Sequence, residues 1–458
     1  MKKEEQLLGY FDAAALVVGA VIGSGIFLTT GLIAEFLPYS GLILSAWLAG
    51  GIITILGALC YGELGSMYPK AGGAYVYLKE AFGRAPAFLF GWTFFIIIGA
   101  AGIAAIAVGF SEYFGSLVPS LSANAKIAGL KGNLVVAVGS TIVLTYYNTI
   151  GVRNSARGQT ILTILRALAL AVLIVAGFVF GFKSGGRNLL PILPASGAWP
   201  SWTAWGAAMM TALWAFDGWY SVSCAAEDIR NPKRNIPRAL ATGTGLVLFL
   251  YLAVNIVYSM ALPMEQLRGT VRVGEAAVAA MAGASWTQVF TGVVALTIFG
   301  CLSANIFYCA RVPYAMARDG LFFGALGKLH RRTSVPVRAL WAQAAVAIVL
   351  ILTGTFQKLI DYVLFGLVFF FAATGAAVIV LRQKAPAAER PYRLRPYPLI
   401  PIFFSAVNAA ILVAMAVEQP AQAAVAGLLI CSGIPAFLIW NGKRKAKSGG
   451  AIESSGGR

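Results

Sequence analysis

Charge is what this sequence has least of. Only 11% of its 458 residues are Asp, Glu, Lys or Arg, against about a quarter in a soluble domain. Histidine is scarcer still: the single one, His330, sits beside Arg331 and Arg332 in a basic stretch, which rules out a histidine proton relay through the apolar segments. The five cysteines (Cys60, Cys224, Cys301, Cys309, Cys431) all fall in apolar runs without paired spacing, so neither a disulfide framework nor a zinc site is expected. No metal or cofactor is expected. No cluster of His, Asp or Cys stands near one end of the spans, as a membrane-embedded enzyme would need. The tail, residues 441–458, is short, basic and Gly/Ser-rich, so a sensor with a soluble output domain is not expected.

What is abundant is apolar. Hydrophobic residues make up 59% of the chain and the mean hydropathy is +0.79, so the solvent for most of it must be lipid. The first six residues are polar and no small-residue cleavage site follows the first apolar run, so insertion through internal spans is expected rather than a cleaved signal peptide. A span needs about 20 apolar residues. Twelve are read, at about 10–35, 41–65, 86–111, 132–149, 158–182, 203–225, 238–261, 276–310, 337–354, 359–381, 397–417 and 421–440. The eighth is long and is expected to begin with a short re-entrant or interfacial piece around 271–283.

The net charge of +18 raises the question of nucleic acid. Its distribution answers it. With both termini on one side, 27 basic residues fall in the loops of that side and 7 in those opposite, leaving only Arg166 inside a span. That bias follows the positive-inside rule and puts both termini in the cytoplasm. The high pI is then loop charge, and nucleic acid is not an expected partner.

Residues 17–31, VVGAVIGSGIFLTTG, are apolar but carry Gly23-Ser24-Gly25 at their middle. Each glycine in a helix interior costs about 1 kcal/mol relative to alanine. A spanning helix breaks at mid-depth only where the freed backbone lines a cavity or meets a ligand. Close helix packing alone would give a small-xxx-small spacing rather than three small residues in succession. Five spans later ALWAFDGWYS interrupts span six at residues 215–218. Two broken spans in corresponding positions point to an inverted repeat with a site at mid-membrane. Because five is odd, the two halves are related by inversion.

The breaks set out a chemistry. The half-helix starting near Ser24 presents unpaired amides and a positive dipole end, which suit a carboxylate. Carbonyls freed at about Ala20 and Val21, with a second set at Trp214, Ala215 and Asp217, suit an ammonium group. Together they describe a zwitterionic α-amino acid. Asp217 has three readings: preference for a cationic substrate, pairing with a fixed cation, or capping the helix that follows.

The segments GAVIGSGIF, YGELGSMYPKAGGAYVYLKEAFG and AFDGWYSVSCAAEDIRNPKRNIPRAL resemble the amino acid–polyamine–organocation superfamily, most closely bacterial members of its L-type amino acid transporter family. The resemblance covers essentially the whole chain. It implies an all-α integral membrane fold of ten core helices in a five-plus-five inverted repeat, with helices 1 and 6 discontinuous and two helices peripheral. The expected layout is a cytoplasmic N-terminus over 1–9, a core over 10–382 with repeats of about 10–182 and 203–382, helices 11 and 12 over 397–440, and a basic tail. By the same resemblance Val21, Gly23, Ser24 and Gly25 match the first binding segment, and Trp214, Ala215, Asp217 and Gly218 the second, with Trp214 at the aromatic gate.

Arg166 matches a position where relatives usually carry lysine, in a region that holds the second sodium ion of sodium-coupled cousins. The resemblance implies that a fixed cation replaces sodium there, donating to the freed carbonyls and to Ser303 or Asn305. An arginine cannot shed its proton, so exchange or facilitated transport is favoured over proton symport; the bland alternative is that Arg166 only pins helices. Eukaryotic relatives join a heavy chain through a loop cysteine between spans 3 and 4. Residues 111–131 contain none, so no disulfide-linked heavy chain is expected. The expected function is sodium-independent exchange of neutral L-amino acids across a bacterial cytoplasmic membrane. The alternatives are proton symport and amino acid/amine antiport. Charges at 227–238 and 311–319 are read mainly as solvated topology signals rather than gates.

Overall fold

A chain this apolar satisfies its backbone in lipid by forming helices, and helices dominate the structure. The computed structural model describes residues 7–127, 129–181, 186–195, 199–353 and 356–442. The expected basic tail beyond 442 and residues 1–6 lie outside them.

The helices are α1 (Tyr10–Val21), α2 (Gly25–Phe36), α3 (Ser40–Met67), α4 (Ala74–Phe82), α5 (Arg84–Leu117), α6 (Gly132–Thr149), α7 (Val152–Gly181), α8 (Trp202–Ala215), the short α9 (Ser221–Cys224), α10 (Pro232–Ala261), α11 (Val273–Ala282), α12 (Ala284–Cys309), α13 (Arg311–Arg318), α14 (Val337–Thr353), α15 (Phe356–Lys384), α16 (Leu399–Glu418) and α17 (Pro420–Gly442). Among the described residues, eight helices are long and apolar enough to cross a membrane, or nine with the bent pair α1–α2 counted as one. The remaining three expected spans are helical over shorter or more polar stretches: α6 of 18 residues, α8 of 14 and α14 of 17. The expected short piece before span eight is α11, set off from α12 by Gly283 at φ +86°.

Polarity is arranged for a lipid solvent. Ile161, Ile164, Leu168, Val172, Val175 and Val179 stand exposed along one face of α7, while Ser24, Asn148, Gln159, Arg166, Asn255 and Asn305 are buried. Two packed groups emerge. In one, α3 lies along α10, with α1, α2 and α8 against them; in the other, α5, α6, α12 and α14 pack together, and α7 touches both. A π-turn at Phe94–Ile98 interrupts α5.

One end of the bundle is fastened by ion pairs. Arg311 meets Asp228 at 2.6 Å, Arg318 meets Glu227 at 2.7 Å, and Lys79 meets Asp319 at 2.6 Å. Leu8 forms a parallel bridge to Ile229 at the same end. These charges are thus paired with one another, where the sequence favoured solvated signals; the loops carrying them fold onto each other. Nearby, Glu63 of α3 is buried and receives two bonds from Arg382, at 2.8 and 2.6 Å, and one from the Leu394 amide at 2.8 Å. Arg390 lies 3.6 Å away. Removing the carboxylate leaves two guanidinium groups unpaired, so Glu63→Gln should cost about 3–5 kcal/mol, read as a lower melting temperature in detergent.

Candidate functional site: two helix breaks on one cavity

Helix α1 stops at Val21 because Ile22 turns to ψ 93°, and α2 restarts at Gly25, with a bend of 42° between them. The Ser24 carbonyl accepts the Phe27 and Leu28 amides, both at 3.1 Å. The Gly25 and Ile26 amides are therefore the open start of α2, at the positive end of its dipole. Helix α8 ends at Ala215; the chain turns through 216–220, with Gly218 at φ +97°, before α9.

The breaks touch. A Cβ on Gly25 would stand 2.6 Å from the Ala215 Cα, and one on Gly218 would stand 2.7 Å from the Ala20 oxygen. On Gly23 it would meet Cys301 Sγ at 2.6 Å. Glycine at these three positions is what lets α1–α2, the α8–α9 turn and α12 meet.

The carbonyls freed at the breaks can be accounted for one by one. Arg166 Nη1 donates to Gly19 at 2.5 Å and reaches Ile22 at 3.4 Å. Cys301 Sγ donates to Ala20 at 3.2 Å. The Tyr251 hydroxyl lies 3.0 Å from the Val21 oxygen and 3.1 Å from that of Ala215. The Asp217 amide donates to Trp214 at 3.0 Å. The Val21 and Ala215 carbonyls each keep a second lone pair.

Arg166 is buried and, among the described residues, has no carboxylate partner. Its charge faces the negative end of α1 instead. With the Gln159 amide oriented so that its oxygen faces the guanidinium, it accepts from Nη2 at 3.3 Å and donates to Gly300 at 3.1 Å. The expected contacts to Ser303 and Asn305 are not made. Gly300 is the α12 residue facing the guanidinium; a Cβ there would lie 3.0 Å from Arg166 Cζ. Ser303 instead accepts from Asn148 through its carbonyl and hydroxyl, both at 3.3 Å. Asn305 donates to the Cys301 carbonyl at 3.0 Å and accepts from Tyr308 at 2.8 Å.

Val21, Gly23, Ser24, Gly25, Trp214, Ala215 and Asp217 line one cavity with Asn305 and Cys301, and Gly218 adjoins it. At about 20 Å³ it has room for roughly one water. Asp217 pairs with no cation among the described residues, which sets aside the fixed-cation reading. Its Oδ1 is buried without a hydrogen-bond partner among the described residues. Trp214 lines both this cavity and a second one of about 200 Å³ that runs past Thr29, Glu35, Phe36 and Gln419. The tryptophan is the partition between them.

Sequence reasoning missed Tyr251 and Cys301. It also passed over Thr163, which donates to Ala15 at 3.1 Å. Gln159, Thr163 and Arg166 recur at helical spacing, so a search for a polar stripe within an apolar span would have found that set.

Residues 8–439 match the family described as Amino acid permease. The chain is 31% identical over 459 residues to the mouse Asc-type amino acid transporter 1, covering 97% of this chain and 83% of that one. It is 31% identical over 458 residues to the Serine/threonine exchanger SteT of Bacillus subtilis (strain 168), covering 98% of each. A third relative, the human Large neutral amino acids transporter small subunit 2, is 31% identical over 461 residues, covering 98% of this chain and 83% of that one. The chain is a multi-pass membrane protein that belongs to the amino acid permease family of the amino acid–polyamine–organocation superfamily.

Proposed function

We propose that the protein is a sodium-independent exchanger of neutral L-amino acids working by alternating access. The carboxylate sits on the amides at the start of α2, beside Ser24, and the ammonium on the carbonyls ending α1 and α8. The observation that carries this is the meeting of both breaks on one cavity, with free amides on one side and helix-end carbonyls on the other. Arg166 stands where a driving cation would otherwise brace the freed carbonyls, and as a permanent charge it cannot cycle a proton. A relative whose name is an exchanger supports the transport mode.

Twelve spans in a five-plus-five inverted repeat fit the two packed groups. Each group holds matching members of both halves, α1–α2 with α8 and α3 with α10 in one, and α5 with α12 and α6 with α14 in the other. With both termini in the cytoplasm of a bacterium, the ion-paired end is the inner one. The structure then corresponds to an inward-closed state whose vestibule opens outward as far as Trp214, the gate. The chain works without a disulfide-linked heavy chain.

In sodium-free proteoliposomes, unlabelled neutral amino acid inside should raise uptake of labelled amino acid several-fold over empty vesicles. Uphill uptake into empty vesicles driven by a proton or sodium gradient would overturn exchange. A second reading, exchange of an amino acid against a cationic amine, is favoured by the unpartnered Oδ1 of Asp217 on the cavity. It predicts stimulation by internal amine, lost in Asp217→Asn.

A further inference from the structure

The foot of α1 stands in a fork. Toward their far ends α7 and α10 touch: Gly177 packs on Val257, and a Cβ on Gly181 would meet Met260 at 3.2 Å. At the ion-paired end α1 lies between them. Its Tyr10 hydroxyl donates to Thr242 of α10 at 3.0 Å, and its Asp12 accepts from Thr160 of α7 at 3.1 Å. Phe11, between those two residues, faces out of the fork and is 80% exposed, while Val18, two turns on along the same side of α1, is 4% exposed.

Arginines line both prongs. On α7, Arg157 and Arg153 stand one and two turns before Thr160; on α10, Arg238 and Arg234 stand one and two turns before Thr242. All four are exposed, and none makes an ion pair among the described residues. The nearby carboxylates have other partners: Asp12 accepts from the Gly9 amide and Thr160, Asp228 pairs with Arg311, and Glu227 pairs with Arg318. Lys2, Lys3, Glu4 and Glu5, outside the described residues, balance in charge. Past the arginines each prong turns apolar. Ile161, Ile164 and Leu168 continue the Arg157 row, Leu246 and Phe249 continue the Arg238 row, and all five are exposed. Basic residues giving way to exposed hydrocarbon mark the level of lipid headgroups.

We propose that this fork is a binding site for an anionic phospholipid. Arg157 and Arg238 share its phosphate, with Arg153 and Arg234 beside them, and its acyl chains lie on Phe11 and the apolar rows. The apolar rows and Phe11 are what commit the occupant to a lipid, since a free phosphate would leave them uncovered. The site is independent of what the two breaks bind. Because α1 ends at Val21 on the cavity, the lipid holds by its foot the half-helix that carries the freed carbonyls.

The test uses the full chain in phosphatidylcholine vesicles carrying a trace of a photoactivatable lipid, either phosphatidylglycerol or phosphatidylcholine with the same chains, followed by peptide mapping. The phosphatidylglycerol probe should label the segments around Phe11, Arg157 and Arg238 about fivefold more than the phosphatidylcholine probe, or better, and excess inorganic phosphate should not displace it. Arg157→Gln with Arg238→Gln should remove that preference, and Arg157→Lys with Arg238→Lys should keep most of it. Arg331→Gln with Arg332→Gln, exposed in a different basic loop, should match the wild type. If the paired Gln variant does not fold, Arg157→Gln and Arg238→Gln made singly should each lower the preference part of the way. Equal labelling by the two probes, a preference unchanged by the Gln substitutions, or displacement by inorganic phosphate would overturn the proposal.

Discussion

Arg166→Ala should abolish measurable exchange, with affinity falling at least a hundredfold in protein that still purifies as a monodisperse species. The guanidinium serves Gly19, Ile22 and, in the favourable amide orientation, Gln159. Without it these acceptors are left in a buried, water-poor place, at about 1–3 kcal/mol each. Two such losses suffice for the expected effect, since 1.4 kcal/mol is tenfold. The end of α1 would then relax toward continuous helix or draw in water, and either change disperses the carbonyls proposed to hold the ammonium. Arg166→Lys keeps the charge but replaces a planar fork with a point donor, so it should retain exchange at reduced affinity. Sodium separates ion replacement from helix pinning. Partial recovery of binding by Arg166→Ala in sodium assigns the residue to a cation's place, and indifference to sodium assigns it to pinning.

Both breaks could be read in the sequence because each is a local contradiction: three small residues in an apolar run, and Asp-Gly inside a tryptophan-rich span. The structure stops α1 at Val21 and restarts at Gly25, within a residue or two of where the motif suggested. Arg166 was legible for the same reason, being a charge where charge is costly. Its partners were only half legible. The α1 carbonyls follow from the break, but the choice among α12 residues depended on which of them faces α7, and that is Gly300, which has no side chain to attract notice. Tyr251 gave no signal at all. One tyrosine in an apolar helix resembles any core aromatic, and its contact with Val21 crosses 230 positions in the chain. The ion pairs of Glu227 and Asp228 were hidden for a related reason. Loop charges look alike in sequence whether they face solvent or each other, and only the folded loops bring Arg311 and Arg318 onto them.

The second large effect belongs to Gly25. Valine there places a Cβ where 2.6 Å already separates it from the Ala215 Cα and 2.8 Å from the Ala215 Cβ, and two further methyl groups follow. The neighbouring atoms are backbone and a Cβ, with no flexible side chain to give way. The breaks must move apart or the α2 amides must tilt, and either change removes the surface on which a carboxylate would rest. Binding should fall by more than a hundredfold, about 3 kcal/mol or more. Gly292→Val, at a glycine of α12 whose added Cβ meets nothing within 4 Å, should leave binding close to the wild type and shows what the bulk of valine alone does. The most direct measurement is equilibrium binding of a labelled neutral amino acid to purified Gly25→Val in sodium-free buffer, beside the wild type and Gly292→Val. Saturable binding in the last two and none in Gly25→Val is the predicted result; wild-type affinity in Gly25→Val would contradict a binding site built on the two breaks.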